Sequence, residues 1–311
     1  MVLRLKPRES RTLPGLPRTK RQAFTTQKSP GLLPADRGFL FFNAAVLVQT
    51  DGMTGFFHFS HAITRAPGTS VIHGLRTDLG VAPDYEGIAA EHGAYVAALR
   101  DLGLTVDVLP PLEDYPDSIF VEDPALVFSE GAILLRPGAP SRLGERDDMR
   151  RALARHFEHI AELAEGENAD GGDVLVTPSM VFIGLSQRTN TAGATALCRH
   201  LSALGRAARV VATPAGVLHL KTACALLAVD TVLVTPAMAA SGVFSGFRLL
   251  LTPDGEEGAA NALRLHDTVL VSDAYPCTIE LLNQEGFRVR PLCVRQIAKL
   301  DAGLSCLSLR W

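Results

Sequence analysis

The sequence has no C-x-x-C pair, no G-x-G-x-x-G turn, no apolar run long enough for a membrane and almost no net charge. Each absence narrows what the chain can be. With 30 Lys and Arg against 33 Asp and Glu, the formal charge is −3 over 311 residues. That balance gives no electrostatic footing for nucleic acid or an anionic membrane as partner. The five cysteines, Cys198, Cys224, Cys277, Cys293 and Cys306, are odd in number and widely spaced. Neither a zinc cluster nor a disulfide framework is indicated, which suits a reducing, cytoplasmic setting. The apolar run GFLFFNAAVLVQT at 38–50 has 13 residues, too few to span a bilayer. Without the glycine-rich turn at any helix start, a dinucleotide-binding fold is not supported.

The first fifty residues differ from the rest. They hold nine Lys and Arg against two Asp and Glu, with prolines at 7, 14, 17, 30 and 34. No periodic apolar face develops there, so the segment reads as disordered, although an Arg-rich, acid-poor leader is also the composition of an organelle transit peptide. Globular patterning starts at Met53 in MTGFFHFSHAITRAPGTSV. The expected division is a basic, proline-rich tail or over-long start over 1–52 and one α/β domain over 53–311.

Within that domain one pattern recurs: strand, turn, amphipathic helix, glycine, strand. The segment 84–103 places Ile88, Tyr95, Leu99 and Leu102 on one helical face and stops at Gly103; 190–205 places Ala194, Leu197, Leu201 and Leu204 on one face and stops at Gly205; 277–286 stops at Gly286. A fourth helix is expected over 144–163 with Met149, Leu153, Phe157 and Ile160 inward, and a short fifth copy near 236–244. Strands are expected in AILLRPG, MVFIGLS, TVLVTP and TVLVSDAYP before the helices, and in LTVDVLP, ARVVATP and FRVRPLCV after them. About five copies of a strand–helix unit argue for repetition around an axis or in a stack.

Polar residues inside such apolar stretches are the informative ones. YPDSIFVEDPALVF carries Asp117, Glu122 and Asp123, which are either loop-edge caps or an acidic cradle for a guanidinium or ammonium group. ENADGGDVLVTP sets Asp170 and Asp173 around paired glycines, as turn chemistry or as a close backbone approach to a ligand. GVLHLKTACALL embeds His219 and Lys221 in a strand-like run, where His is a core residue or a general acid/base. Arg142 and Arg188 each follow a strand and precede a helix, as solvated arginines or as a grip for a carboxylate. Cys306, in DAGLSCLSLRW, is a packed thiol of a last strand or a nucleophile presented by the loop before it. Together these groups fit a zwitterionic amino acid with a guanidinium tail, whose carbon a thiolate can attack.

The segments PDSIFVEDPALV, RPGAPSR, DGGDVL, SQRTN, LHLKT and GLSCLSLRW, in that order from about His61 to Trp311, resemble dimethylarginine dimethylaminohydrolase of the guanidino-group-modifying (amidinotransferase) superfamily. The resemblance implies a single-domain five-bladed α/β-propeller of ββαβ units. It implies hydrolysis of Nω-methylated arginine to citrulline and dimethylamine or methylamine through a covalent intermediate on Cys306, with no cofactor and no metal. His219 would be the general acid/base, and Asp170 would orient it or hold the guanidinium. Asp117, Glu122 and Asp123 would bind the cationic groups, Arg142 and Arg188 the carboxylate, and Leu75 would lie on a lid loop. The partner is a small guanidino amino acid, with a homodimer left open and neither nucleic acid nor membrane involved. Two rivals stand beside it. A deiminase of arginine or another guanidine would usually carry an inserted helical domain, for which no room appears. A non-catalytic binding protein would be expected to have lost Cys306, His219 or the acidic residues.

Overall fold

The computed structural model describes residues 55–311, all within one compact unit; the tail expected over 1–52 and the boundary after it lie outside the described residues. Five times the chain makes the same passage, in which two antiparallel strands are followed by a helix and by a third strand parallel to the second. Strand β1 (His61–Arg65) leads through helix α1 (Tyr85–Asp101) into β2 (Thr105–Leu109). The second unit is β3 (Ala125–Phe128), β4 (Gly131–Leu134), α2 (Glu145–Leu153) and β5 (Ile160–Glu162), and the third is β6 (Val174–Val176), β7 (Val181–Leu185), α3 (Thr191–Ala203) and β8 (Ala208–Ala212). The fourth is β9 (Cys224–Ala228), β10 (Thr231–Val234), α4 (Pro236–Ala240) and β11 (Arg248–Leu251), and the fifth β12 (Leu263–Leu265), β13 (Thr268–Ser272), α5 (Pro276–Gln284) and β14 (Arg288–Leu292). The last strand, β15 (Leu309–Arg310), returns antiparallel to β1 with Leu309 opposite Ile63, and so completes the first sheet. This is a five-bladed α/β-propeller, as the resemblance implied.

The alternation follows from chain geometry, since a tight turn suffices between antiparallel strands whereas a parallel return needs a crossover. The middle strands β4, β10 and β13 are buried along their whole length, which is why GAIL, TVLV and TVLVS read as unbroken apolar runs. The outer strands β2 and β14 carry exposed residues. The N-caps are supplied locally: Asp84 accepts from Gly87 N at the start of α1, Asn190 from Gly193 N at α3 and Thr235 from Met238 N at α4. Gly103 and Gly205 stop α1 and α3 at φ 93° and 72°, a region that an L side chain rarely adopts.

The first strand of each sheet is innermost, with β15 beside β3, β6 beside β9 and β9 beside β12. Immediately before each of these strands the chain makes a turn rather than extending the strand. These segments are residues 117–124 before β3, the 3-10 turns Gly171–Asp173 before β6, Leu220–Thr222 before β9 and Glu257–Ala260 before β12, and Leu304–Leu307 before β15. Five equivalent turns therefore meet at one end of the axis.

Three local expectations are corrected. The helix expected over 144–163 ends at Leu153, and Ile160 starts β5, because β4 needs a parallel partner and takes it at Ala132 opposite Ile160. The strand-like reading of 115–128 holds only for Ala125–Phe128; the carboxylates precede it on turns. In 216–227 the strand begins at Cys224, because Asp173 Oδ1 takes the Leu220 N–H (3.0 Å) and turns the chain after His219.

The closing strand is pinned by the C-terminal residue. Trp311 O accepts from Ser60 N (2.9 Å) and His61 N (3.0 Å), and its ring stacks on His61 (5.5 Å, 14°) with His156 and Phe157 at its edges. Deleting Leu309–Trp311 removes this clamp and the buried Leu309. The midpoint of thermal unfolding is expected to fall by roughly 10 °C, as judged from large buried truncations and the size of the domain; an unchanged midpoint in calorimetry would mean that the seam between first and last strand carries no stability.

Candidate active site

The turn before β15, the strand that completes the first sheet, presents Cys306. Its N–H donates to Gly303 O (3.2 Å), its carbonyl accepts from Glu122 N (3.3 Å), and the side chain is half-buried. Asn261 Nδ2 lies 3.6 Å from the sulfur, while Asn261 Oδ1 accepts from Ser305 N at 3.0 Å. Burial pushes the thiol pKa up to about 11, and the carboxylates of Glu122 and Asp123 add to the rise. The resting sulfur is therefore a thiol.

The turn before β9 presents His219. Its Nε2 sits 3.0 Å from Asp170 Oδ2, and Asp170 Oδ1 is held by Gly138 N at 2.7 Å. Asp173 stands behind it, accepting from Leu220 N (3.0 Å), Ser186 Oγ (2.6 Å) and Thr189 Oγ1 (2.7 Å). Burial disfavours the imidazolium, but Asp123, Asp170 and Asp173 outweigh it and carry the His219 pKa up to about 9. The two glycines between the aspartates are sterically required. A Cβ on Gly171 would run into the Glu122 carbonyl, and one on Gly172 would sit 2.7 Å from His219 Nδ1. Gly172 N also donates to Asp123 Oδ1 at 3.0 Å. The paired glycines thus let the third blade's turn touch both the second blade's acids and the fourth blade's imidazole.

The acidic residues of the second blade separate into three situations. Asp117 is buried and accepts from Leu75 N at 2.9 Å; burial pushes its pKa up against the pull of Arg142 and Arg188. Asp123 is buried, and Arg142 and His219 hold its pKa below the ordinary carboxylate value despite the cost of burial. Glu122 is already engaged: Lys221 Nζ lies 2.5 Å from Oε1, Ser305 Oγ donates to Oε2 at 3.1 Å, and Arg310 stands 3.5 Å away. Its carboxylate forms the floor beneath the thiol rather than an unpaired anion.

The two arginines, which follow the middle strands of neighbouring blades, also differ. Arg142 is 3% exposed and gives Nε and Nη2 to Glu145 (both 2.8 Å), Nη1 to Asp123 (2.5 Å) and Nη2 to the carbonyls of Asp117 and Phe120. Of five guanidinium N–H groups, this leaves one, on Nη1. Arg188 is half-buried, is held through its backbone N–H on Ser186 Oγ (2.9 Å), and its guanidinium pairs with no carboxylate among the described residues. Leu75 occupies the corresponding place in the first blade and is 40% exposed. Beyond it Thr77 N and Oγ1 donate to Asp301, which lies in the Cys306 loop with φ 56°. Ligand atoms of Asp123, Asp170 and His219 fall within 4.8 Å of one another, but His219 Nε2 and Asp123 Oδ2 are spent on Asp170 and Arg142.

The nine residues to which the resemblance gave roles thus lie on the equivalent turns or on loops joined to them by hydrogen bonds. Sequence reasoning did not include Asn261, Glu145 or Ser305. Lys221 and Asp173 were visible as charges in apolar segments, whereas nothing in the local sequence of Asn261 or Ser305 sets them apart.

A half-buried thiol and a carboxylate-held imidazole, both acted on by the buried Asp123 at the axis of a five-bladed α/β-propeller, are the site of a thiol-dependent enzyme of the guanidino-group-modifying class. The family profile described as arginine deiminase matches residues 107–258. The chain is 35% identical to the N(G),N(G)-dimethylarginine dimethylaminohydrolase of Pseudomonas aeruginosa over 81% of this chain and 100% of that one, and 36% identical to the Streptomyces coelicolor enzyme of the same description over 80% and 96%. It belongs to the dimethylarginine dimethylaminohydrolase family. A structure of a Pseudomonas aeruginosa variant complexed with citrulline superposes with a TM-score of 0.80 at 34% identity, covering 82% of this chain and 100% of that one. The N-terminal domain of a cyanobacterial arginine dihydrolase shares the fold at a TM-score of 0.72 and 18% identity, over 80% and 97% of the two chains.

Proposed function

We propose that the chain hydrolyses Nω-methylated arginine, asymmetric dimethylarginine or monomethylarginine, to citrulline and dimethylamine or methylamine. The observation that carries this reading is the meeting of Cys306, the Asp170-held His219 and the buried Asp117 and Asp123 at one end of the axis. The substrate guanidinium, drawn in by Asp123 and Asp170, brings its positive charge beside the sulfur and favours the thiolate, the thiol proton passing to bulk water. Sulfur attacks the guanidinium carbon. The bond from that carbon to the methylated nitrogen breaks as His219 gives its proton to the departing amine. Neutral His219 then takes a proton from water, whose oxygen attacks the same carbon; the carbon–sulfur bond breaks to give the thiolate, which takes up the new hydroxyl's proton, and citrulline leaves with the thiol restored.

At the other end of the substrate, Asp117 faces its ammonium group. Arg188 supplies the main grip on the carboxylate, and Arg142 offers its one remaining Nη1 N–H while acting chiefly as the strut of Asp123. Glu122 serves the floor under Cys306. Leu75, whose N–H holds Asp117, covers the bound substrate from the first blade. No described helix is long and apolar enough to cross a membrane, and all five cysteines are free, which supports a reducing compartment such as the cytoplasm. A homodimer is the assembly to be read from sedimentation of the full chain.

A second reading, arginine deiminase activity, is favoured by the profile match over 107–258. One assay separates the two: release of citrulline and dimethylamine from asymmetric dimethylarginine, run beside arginine and agmatine. Turnover of the methylated substrate alone is the expected result. Ammonia from arginine would replace the proposal with the deiminase, and silence on all three by folded protein would refute both.

A further inference from the structure

We infer that Asn261 is a further catalytic residue, whose side-chain N–H donates a hydrogen bond to Cys306 and stabilises its sulfur whenever that sulfur is anionic. The orientation of the amide follows from its partners. Ser305 N is a donor, so the atom 3.0 Å from it must be the amide oxygen; the NH₂ end then points at Sγ, 3.6 Å away. A flipped amide would set donor against donor. The side chain is also confined by packing, since a Cβ on Gly303 would come within 2.5 Å of Asn261 Cγ, and only glycine lets the thiol loop lie this close. The backbone is equally fixed: Asn261 ends the turn Glu257–Ala260, its N–H donates to Gly258 O (3.3 Å), and Ala260 and Ala262 on either side are buried. The fifth blade thus contributes one polar group to the cluster of turns, and that group is aimed at the nucleophile.

The charges around the sulfur make such a donor consequential. Glu122 and Asp123 both face it and oppose its ionisation. Lys221 and Arg310 answer Glu122, while Arg142 and His219 answer Asp123. Each of these cations is already paired with a carboxylate. The groups that favour the thiolate directly are the Gly303 backbone and the Asn261 amide. A hydrogen bond to an anionic acceptor is roughly twice as strong as one to a neutral acceptor, so the donor acts at attack and again when the sulfur departs from carbon. That consequence rests on the function proposed above; the hydrogen bond itself does not.

The test therefore uses an uncharged alkylating probe that needs no turnover. Alkylation of Cys306 by iodoacetamide is followed by mass spectrometry against pH in the wild-type full chain, Asn261→Ala and Asn261→Asp. Loss of the donor is expected to raise the thiol pKa by about one unit, giving about tenfold less thiolate at a fixed pH below it. The more basic thiolate is intrinsically more nucleophilic, which leaves alkylation about three- to fourfold slower. Asn261→Asp retains the acceptor for Ser305 and the shape of the side chain, so it remains informative if the alanine variant does not fold; its added negative charge is expected to slow alkylation further. Alkylation profiles of either folded variant that coincide with wild type would overturn the inference. If profiles shift while no guanidine is turned over by wild type, the hydrogen bond stands and the proposed reaction fails.

Discussion

Cys306→Ser is expected to abolish hydrolysis of asymmetric dimethylarginine, by on the order of 10⁴-fold or more, while the unfolding midpoint and citrulline binding stay near wild type. Sγ contributes little to packing, because the residue is only half-buried and the loop is held by backbone bonds to Gly303 and Glu122 and by Ser305 on Glu122. The hydroxyl keeps the shape but not the chemistry. A thiol already pushed up to about 11 by burial and by two carboxylates needs a bound cation to ionise, and an alcohol starts from a far higher value. Single-turnover kinetics and calorimetry with citrulline check both halves. Residual turnover within a factor of ten would remove Cys306 from the nucleophile's role. The same electrostatics require the thiol of the free enzyme to titrate well above pH 7; a measured value well below 7 would contradict it.

Asp170→Asn should cost nearly as much, and its pH profile is the more telling readout. In the resting site burial works against the imidazolium, yet Asp123, Asp170 and Asp173 raise His219 to about 9. A raised pKa means that the proton needed by the leaving amine is present at neutral pH and lost only as pH climbs through about 9. The alkaline limb of kcat/KM is therefore expected near that value. With asparagine at 170 the hydrogen bond and one of the three carboxylate charges disappear while burial remains, so the limb moves to lower pH. The direct substitution His219→Gln is expected to lower kcat by about 10²- to 10⁴-fold, the usual yield of a positioned acid/base. A limb that stays in place in Asp170→Asn would mean that His219 is not the titrating acid. The same linkage acts on the fold. Because the folded pKa lies above the ordinary value of 6.5, the charged His219 contributes stability that is complete below pH 6.5 and is lost as pH rises through about 9.

Within the described residues, the sequence by itself determined the repeating unit. The faces of α1 and α3, the glycine stops of α1, α3 and α5 and the buried middle strands are written in periodicity and in apolar runs, because burial acts on neighbours a few residues apart. It also marked Cys306, His219 and the acids, since ionisable groups in apolar segments are costly unless something pays for them. What only the tertiary structure decided is which groups meet. Arg142 is visible as an arginine after a strand, but its burial between Asp123 and Glu145 depends on pairings 19 and 3 residues away that form one interior cluster. Glu122 looks like its neighbours in sequence and is distinguished by Ser305, 183 residues on. Asn261 carries no local signal, and its partner Cys306 lies 45 residues further along. The physical reason is the closure of the propeller. Repetition around an axis brings five short turns together, each unremarkable in its own segment, and the shared space between them assigns a role to each side chain.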